Sequence, residues 1–303
     1  EMDYFNLLQM LAMGRVPLLA SERDENDSFV ILGGACATFN PEPLADFVDV
    51  CVIGEGEETI HALLDAYYQA RRDGLKRREI LKAWSAIEGL YVPSLYRHEY
   101  NDDGTIAAVQ PLDGAPAQVR RCWVKDLDKY PAHTVVTGSE TEFGRLHLVE
   151  VARGCGRHCR FCMAGYCYRE PRVRTPEKLY AQIDEAKRRG CKAGLMGAAI
   201  SDYPFIDELC AYITEHETGM SVASLRADSL TTALVEALAY SGQRTITLAP
   251  EAGSERLRRV INKGITDKHL FDSIDMAINA GIRNVRLYIM IGLPFETEED
   301  CAA

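Results

Sequence analysis

The sequence predicts an α/β protein in two parts, the tail of an open doubly wound sheet followed by a run of parallel βαβ units. Two patterns carry that expectation. Within residues 29–72 a short apolar strand runs into glycines and then into a helix-forming stretch, and this happens twice. From Leu146 onward, strand and helix patterns alternate regularly, giving five strands with helices between them. The chain has 303 residues, 47% hydrophobic and 26% charged, enough for about two domains with real cores.

Taken in order, 29–32 is an apolar strand ending in Gly33-Gly34. Pro41-Glu42-Pro43 leads into a brief helix at 44–47. A second buried strand at 50–53 ends in Gly54-Glu55-Gly56, and 57–72 carries Ile60, Leu63, Leu64 and Tyr67 at helical spacing. Ligands of doubly wound sheets bind outside the carboxyl ends of the strands, where these glycines lie. The alternative is that the glycines only make tight turns. Residues 76–145 read as a connector, with a hairpin of 96–100 and 106–109 around Asn101-Asp102-Asp103-Gly104. The second part predicts strands at 146–152, 193–199, 220–225, 245–249 and 284–291. Its helices are expected at 176–189, 203–217, 231–241, 254–262 and 267–280. An open sheet and a (β/α) barrel both fit, and either places chemistry at the carboxyl ends of the strands. The expected divisions are 1–75, 76–145 and 146–303.

Glu1 is not an initiator, and the acidic run 296–300 reads as the first turn of a helix that stops at once. The chain is therefore expected to be an internal piece of a longer protein. The longest apolar stretch, 287–295, is far below the ~20 residues of a membrane span, and no leader pattern opens the chain. A net charge of −11 argues against a nucleic-acid-coating surface. Ten cysteines is a high count for a chain without export signals. Six are scattered singly. Four crowd into 155–167, which in a non-secreted chain reads as metal ligands or redox thiols in a reducing, cytosolic compartment.

Cys155, Cys159 and Cys162 follow the first strand of the second part with spacing C-x3-C-x2-C. Three thiolates on one loop can hold three corners of a cubane iron–sulfur cluster and leave one iron open. Closed structural zinc wants four ligands, for which Cys167 or His158 would be needed. With Phe161 before the last cysteine, this loop resembles the signature of the radical S-adenosylmethionine (SAM) enzymes, and the resemblance covers 146–303. It implies a partial TIM-type barrel in which these three cysteines hold a 4Fe-4S cluster whose open iron is chelated by SAM. An electron from the cluster then cleaves SAM to methionine and a 5′-deoxyadenosyl radical, and a reducing donor such as flavodoxin or ferredoxin is implied.

The same resemblance assigns further positions. Phe161 lies beside the adenine. Gly197 and Ala198, in Met196-Gly197-Ala198-Ala199, stand where the family has Gly-Gly-Glu at the SAM amino group, although the carboxylate is missing here. Ser224 and Arg226 end the third strand, where polar residues face SAM. Arg226 reads either as a partner for an anionic group or as a solvent-facing arginine paired with Asp228. Pro250-Glu251-Ala252-Gly253-Ser254 and Asn262-Lys263-Gly264 resemble the branch containing methylthiotransferases and coproporphyrinogen dehydrogenase. There Glu251 would contact SAM, and Lys263 would pair with its carboxylate. Met290 lies on the adenine-flanking strand.

Gly33-Gly34-Ala35-Cys36-Ala37-Thr38, Pro41-Glu42-Pro43 and Gly54-Glu55-Gly56-Glu57 resemble the second half of the cobalamin-binding-type, Rossmann-like domain that precedes many radical SAM enzymes. This implies cobalamin as an additional cofactor, its cobalt-ligand motif lying outside the chain. Residues 1–60 hold twelve acidic and two basic side chains, whereas 151–190 hold ten basic and four acidic. That contrast suggests either a solvated face or a docking rim of Arg169, Arg172 and Arg174 for an acidic donor or an anionic substrate. Three functions compete: radical generation from SAM, methyl transfer or methylthiolation within the same superfamily, and a non-catalytic zinc or iron–sulfur module.

Overall fold

A computed structural model describes residues 2–138, 140, 141 and 143–303. The chain divides into two compact units, one up to Lys125 and one from Asp126.

The first unit begins with α1 (Met2–Met13) and is centred on β1 (Ile31–Leu32), β2 (Val50–Val52) and β3 (Leu90–Tyr91). β1 and β2 run parallel, and β3 pairs antiparallel with β2. Period-two alternation sets the layers. Val50 and Val52 face Leu63, Ala70, Ile80 and Trp84, whereas Cys51 and Tyr91 face Ala37, Leu44 and Val48. The first layer comes from α3 (Gly56–Arg72) and α4 (Arg77–Ser85), the second partly from α2 (Gly34–Phe39). Trp84 is buried and donates its indole N–H to the Leu63 carbonyl at 3.0 Å. The sequence reading missed α2 and α4. α2 is six residues of mostly small side chains, and α4 is nine residues that open on Arg77, Arg78 and Glu79, so neither is long enough to show a sustained helical period. The helix expected at 44–47 is a single 3₁₀ turn at Glu42–Leu44. The hairpin forms as β4 (Tyr96–Tyr100) and β5 (Ile106–Pro111).

In the second unit, β6 (Leu146–Glu150) leads into β7 (Ala152–Arg153), which pairs antiparallel with β8 (Arg172–Val173) and so closes the neck of the loop 154–171. That loop contains the short helix α5 (Ala164–Cys167). Next come α6 (Pro176–Arg188), β9 (Lys192–Met196), α7 (Ile206–Glu215), β10 (Met220–Ser221) and α8 (Thr232–Tyr240). The unit ends with β11 (Thr245–Glu251), α9 (Glu255–Val260), α10 (Asp267–Asn279), β12 (Asn284–Ile289) and α11 (Glu298–Ala302). β6, β9 and β10 form one parallel sheet, and β11 and β12 another. A parallel bridge from Leu225 to Leu248 joins them, so the strands succeed each other in chain order, as in a (β/α) barrel. Leu179, Ile183, Leu209, Ile213, Leu234 and Leu238 on the helices pack against Val149, Leu195, Met220, Ile246 and Leu248 of the strands. No helix among the described residues is long and apolar enough to cross a membrane.

Candidate functional site

The loop at the carboxyl end of β6 is fixed from several directions. Gly154 has φ +88, and a Cβ there would lie 2.3 Å from the Tyr168 carbonyl oxygen and 2.7 Å from that of Glu170, so only glycine closes this neck. The Cys155 N–H donates to the Tyr168 carbonyl at 3.3 Å, and the Cys162 N–H to that of Cys159 at 3.1 Å. Beyond α9 the chain clasps the loop: Arg160 N–H donates to the Ile261 carbonyl at 2.9 Å, and the Asn262 amide to the His158 carbonyl at 2.9 Å. Cys159 is buried, and Cys155 and Cys162 are half-buried. Cys167 lies on α5, past this turn.

Three strand-end segments bring charged groups to the cysteines. Arg226, 8% exposed, directs Nη1 at the Cys159 sulfur at 3.9 Å. Its Nε and Nη2 fork onto Asp228, both at 2.9 Å, and Nη2 also donates to the Lys263 carbonyl at 2.9 Å. Arg226 is therefore paired with Asp228 but is not solvent-facing. Arg157, between Cys155 and Cys159 in sequence, grips Asp202 through Nε at 2.7 Å and Nη2 at 2.5 Å, and reaches Asp228 at 3.1 Å. Burial opposes the charge on Asp202, but its hydrogen bonds from Arg157 and Ser229 outweigh it and hold the carboxyl below its ordinary range.

Lys263 is buried, with Nζ 3.0 Å from the Glu251 carboxylate and 5.7 Å from the centre of the Phe161 ring. Glu251 has φ +70, in the left-handed region, at an irregularity in the β11–β12 register. Arg258, 1% exposed, donates to the carbonyls of Ala252, Gly253 and Ile265, so the turn between Glu251 and Lys263 is set from inside. Met290 N–H donates to the Glu251 carbonyl at 2.9 Å, and its side chain packs with Ala252, Leu257 and Ile261.

The structure thus brings together Cys159 with Arg226, and Phe161 with Lys263, Glu251 and Met290. Gly197 and Ala198 line a cleft of about 220 Å³ against the other side of the cysteine loop, with Glu150, Ala152, Gly154 and Ala164. Ser224 is exposed on the segment leading to Arg226. Sequence reasoning missed Arg157 and Asp202 as a pair. The available signal was a cation inside the cysteine motif and a carboxylate displaced a few residues from the missing Gly-Gly-Glu position.

The proposed docking rim needs correction. Arg174 is 1% exposed, donating to the Leu127 carbonyl and to Glu150, the latter at 2.5 Å, and Arg172 is buried as well. Arg174 is drawn inward by Glu150 at the end of β6, whereas Arg172 donates from Nε to the Glu170 carbonyl at 3.3 Å.

The donor set fits a cluster. A cubane takes one thiolate per iron, and a cationic donor facing a ligating sulfur is the outer contact such centres use. The first unit fits cobalamin less well. A Cβ on Gly54 would meet the Cys122 carbonyl oxygen at 2.0 Å, and Glu55 accepts from the Val124 N–H at 2.9 Å, so this loop is filled by the chain itself. Gly34 of the first glycine loop and Gly56 of the second face open space.

The chain belongs to the radical SAM superfamily: the model described as "Radical SAM superfamily" matches residues 149–303, and that described as "Radical SAM proteins, N-terminal" matches 1–93. The chain is 32% identical to an uncharacterized protein of Methanocaldococcus jannaschii, aligned over 99% of this chain and 58% of that protein. It is 26% identical to an uncharacterized methyltransferase of Pyrococcus horikoshii, over 95% of this chain and 59% of that one. In fold it is similar to TsrM from Kitasatospora setae, a radical S-adenosylmethionine methyltransferase solved with cobalamin and a 4Fe-4S cluster. That match has a TM-score of 0.62 at 16% identity, covering 90% of this chain and 52% of that one. The chain spans less than two thirds of the length of each.

Proposed function

We propose that this chain holds a 4Fe-4S cluster on Cys155, Cys159 and Cys162 and binds SAM beside it, generating a 5′-deoxyadenosyl radical that modifies a substrate. The observation that carries the reading is the convergence of the cysteine loop, Arg226 and the Lys263–Glu251 pair at the carboxyl ends of successive barrel strands. When bound, the cluster supplies the electron that breaks a carbon–sulfur bond of SAM.

The chain's own residues bind and orient. Lys263 is a three-donor point charge that can take the SAM carboxylate while keeping Glu251 as its second partner. Phe161 offers a flat apolar surface to the adenine, with Met290 and its strand behind Glu251. Gly197 and Ala198 leave backbone accessible to the SAM amino group, and Ser224 adds a polar contact on the Arg226 side. The reaction class we favour is methyl or methylthio transfer, supported by the methyltransferase named among the relatives. A flavodoxin or ferredoxin serves as reductant in the cytosol.

Anaerobic reconstitution tests this. The protein should take up about four irons per chain, show a broad absorption shoulder near ~400 nm and release 5′-deoxyadenosine from SAM only with reductant. Cys159→Ala should lose all three. A variant that keeps cluster and cleavage overturns the assignment, and zinc uptake in place of iron would favour the non-catalytic module.

A further inference from the structure

We propose that Arg226 is a positioning residue that raises the reduction potential of the cluster by donating an N–H from its guanidinium to the Cys159 sulfur, with Asp228 fixing its aim. The inference rests on the reading of Cys159 as a cluster ligand. The geometry is specific. A guanidinium has five N–H donors in a planar fork. In Arg226, Nε and Nη2 are committed to the two Asp228 oxygens and the Lys263 carbonyl, so the plane cannot turn, and Nη1 is left directed at the sulfur at 3.9 Å. Asp228 is itself held by Arg157 at 3.1 Å, and Arg157 by Asp202, so the aim is braced from the loop after β9 as well. Arg226 is 8% exposed and Cys159 6%, so little water screens the contact.

Reduction adds one negative charge to a cluster whose ligands are already anionic. A cation with an N–H on a ligating sulfur stabilises the reduced form more than the oxidised form, so the potential becomes less negative. An electron carrier then has less energy to supply for the first electron. The carboxylates lie on the far side of the guanidinium. They neutralise the network as a whole without removing the local N–H from the sulfur.

The test is an EPR-monitored redox titration of the reconstituted protein, with iron and sulfide content measured on the same sample. Arg226→Met should keep about four irons and make one-electron reduction about tenfold harder, a midpoint about 59 mV more negative. Arg226→Lys, which keeps a charge but loses the fork, should fall between. An unchanged midpoint in Arg226→Met with full iron content overturns the inference while leaving the cluster assignment intact; failure of the unmodified protein to assemble a cluster overturns the assignment itself. A second measurement needs no substitution. Wild-type protein labelled with ¹⁵N-arginine should show ¹⁵N hyperfine coupling to the reduced cluster in pulsed EPR. Absence of that coupling sinks the proposal even if the Met variant does not fold.

Discussion

Two strand-end loops of this molecule, one after β2 and one after β6, begin with glycines whose absent side chain is required, yet they serve different ends. At Gly54, with φ +111, the space of a Cβ is taken by the Cys122 carbonyl, and the loop closes over the chain's own 121–124 segment. At Gly154, with φ +88, that space is taken by the carbonyls of Tyr168 and Glu170, and the loop so pinched presents three thiols. A strand-end glycine therefore announces a close backbone approach without saying what approaches. The chemistry of a loop comes from its other side chains: Glu55 turns inward to a backbone N–H, whereas Cys159 meets Arg226 from a neighbouring strand end.

The two glycine-to-alanine variants separate these loops most sharply. Each combines a left-handed backbone with a sub-van-der-Waals contact, so each should lose about 4 kcal/mol locally. The consequences should differ. Gly54→Ala should lower the urea midpoint followed by fluorescence, since Trp84 and Trp123 are the two tryptophans and both lie in the first unit, while iron content stays at wild type. Gly154→Ala should leave that fluorescence transition in place and reduce iron uptake by more than half. Equal loss of iron in both variants would mean the two loops are not functionally separate.

A smaller effect separates the buried charges of the same two strands. Asp49, just before β2, accepts from Arg23 at 2.9 Å, Arg77 at 2.8 Å and the Val30 N–H at 2.7 Å, all well inside the unit. Asp49→Ala leaves two guanidiniums buried without their shared partner and should destabilise the first unit by about 3 kcal/mol, read by the same tryptophan transition. Cluster assembly should be unaffected. A loss below ~1 kcal/mol would show that the arginines find water or carbonyls instead.

Much of this was legible because it is local or periodic. The five parallel strands, the helices between them and the cysteine loop follow from apolar periodicity and from one dense motif. The conjunction of Lys263 with Glu251 was accessible only through the family resemblance, since nothing in twelve residues of spacing says they touch. What stayed hidden is long-range in sequence: Arg157 to Asp202, Arg226 to Cys159, and the Cys122 carbonyl behind Gly54. The basic run 169–174 misled for a related reason. Charge counting cannot tell an arginine in solvent from Arg174, which is buried against Glu150 because a strand-end carboxylate must be neutralised there.

That neutralisation gives the smallest effect and a pH signature. At Glu150 burial opposes ionisation, but hydrogen bonds from Arg153 and Arg174 dominate and the carboxyl is held below its ordinary range, as at Asp202. A folded-state pKa lowered in this way contributes stability that is fully present above the ordinary carboxylate range. It is lost as the pH falls through the folded value, because the unfolded chain takes up the proton first. Protection against hydrogen exchange across 146–153 and 196–203 should therefore be nearly constant above about pH 5, and the free energy of opening should fall with pH below about pH 4. Asp202→Asn should lower the protection at neutral pH and flatten its dependence on acid in the 196–203 segment more than in 146–153. Identical pH profiles for wild type and variant would show that the Arg157–Asp202 brace carries no linkage, and that the cysteine loop is held by its backbone contacts alone.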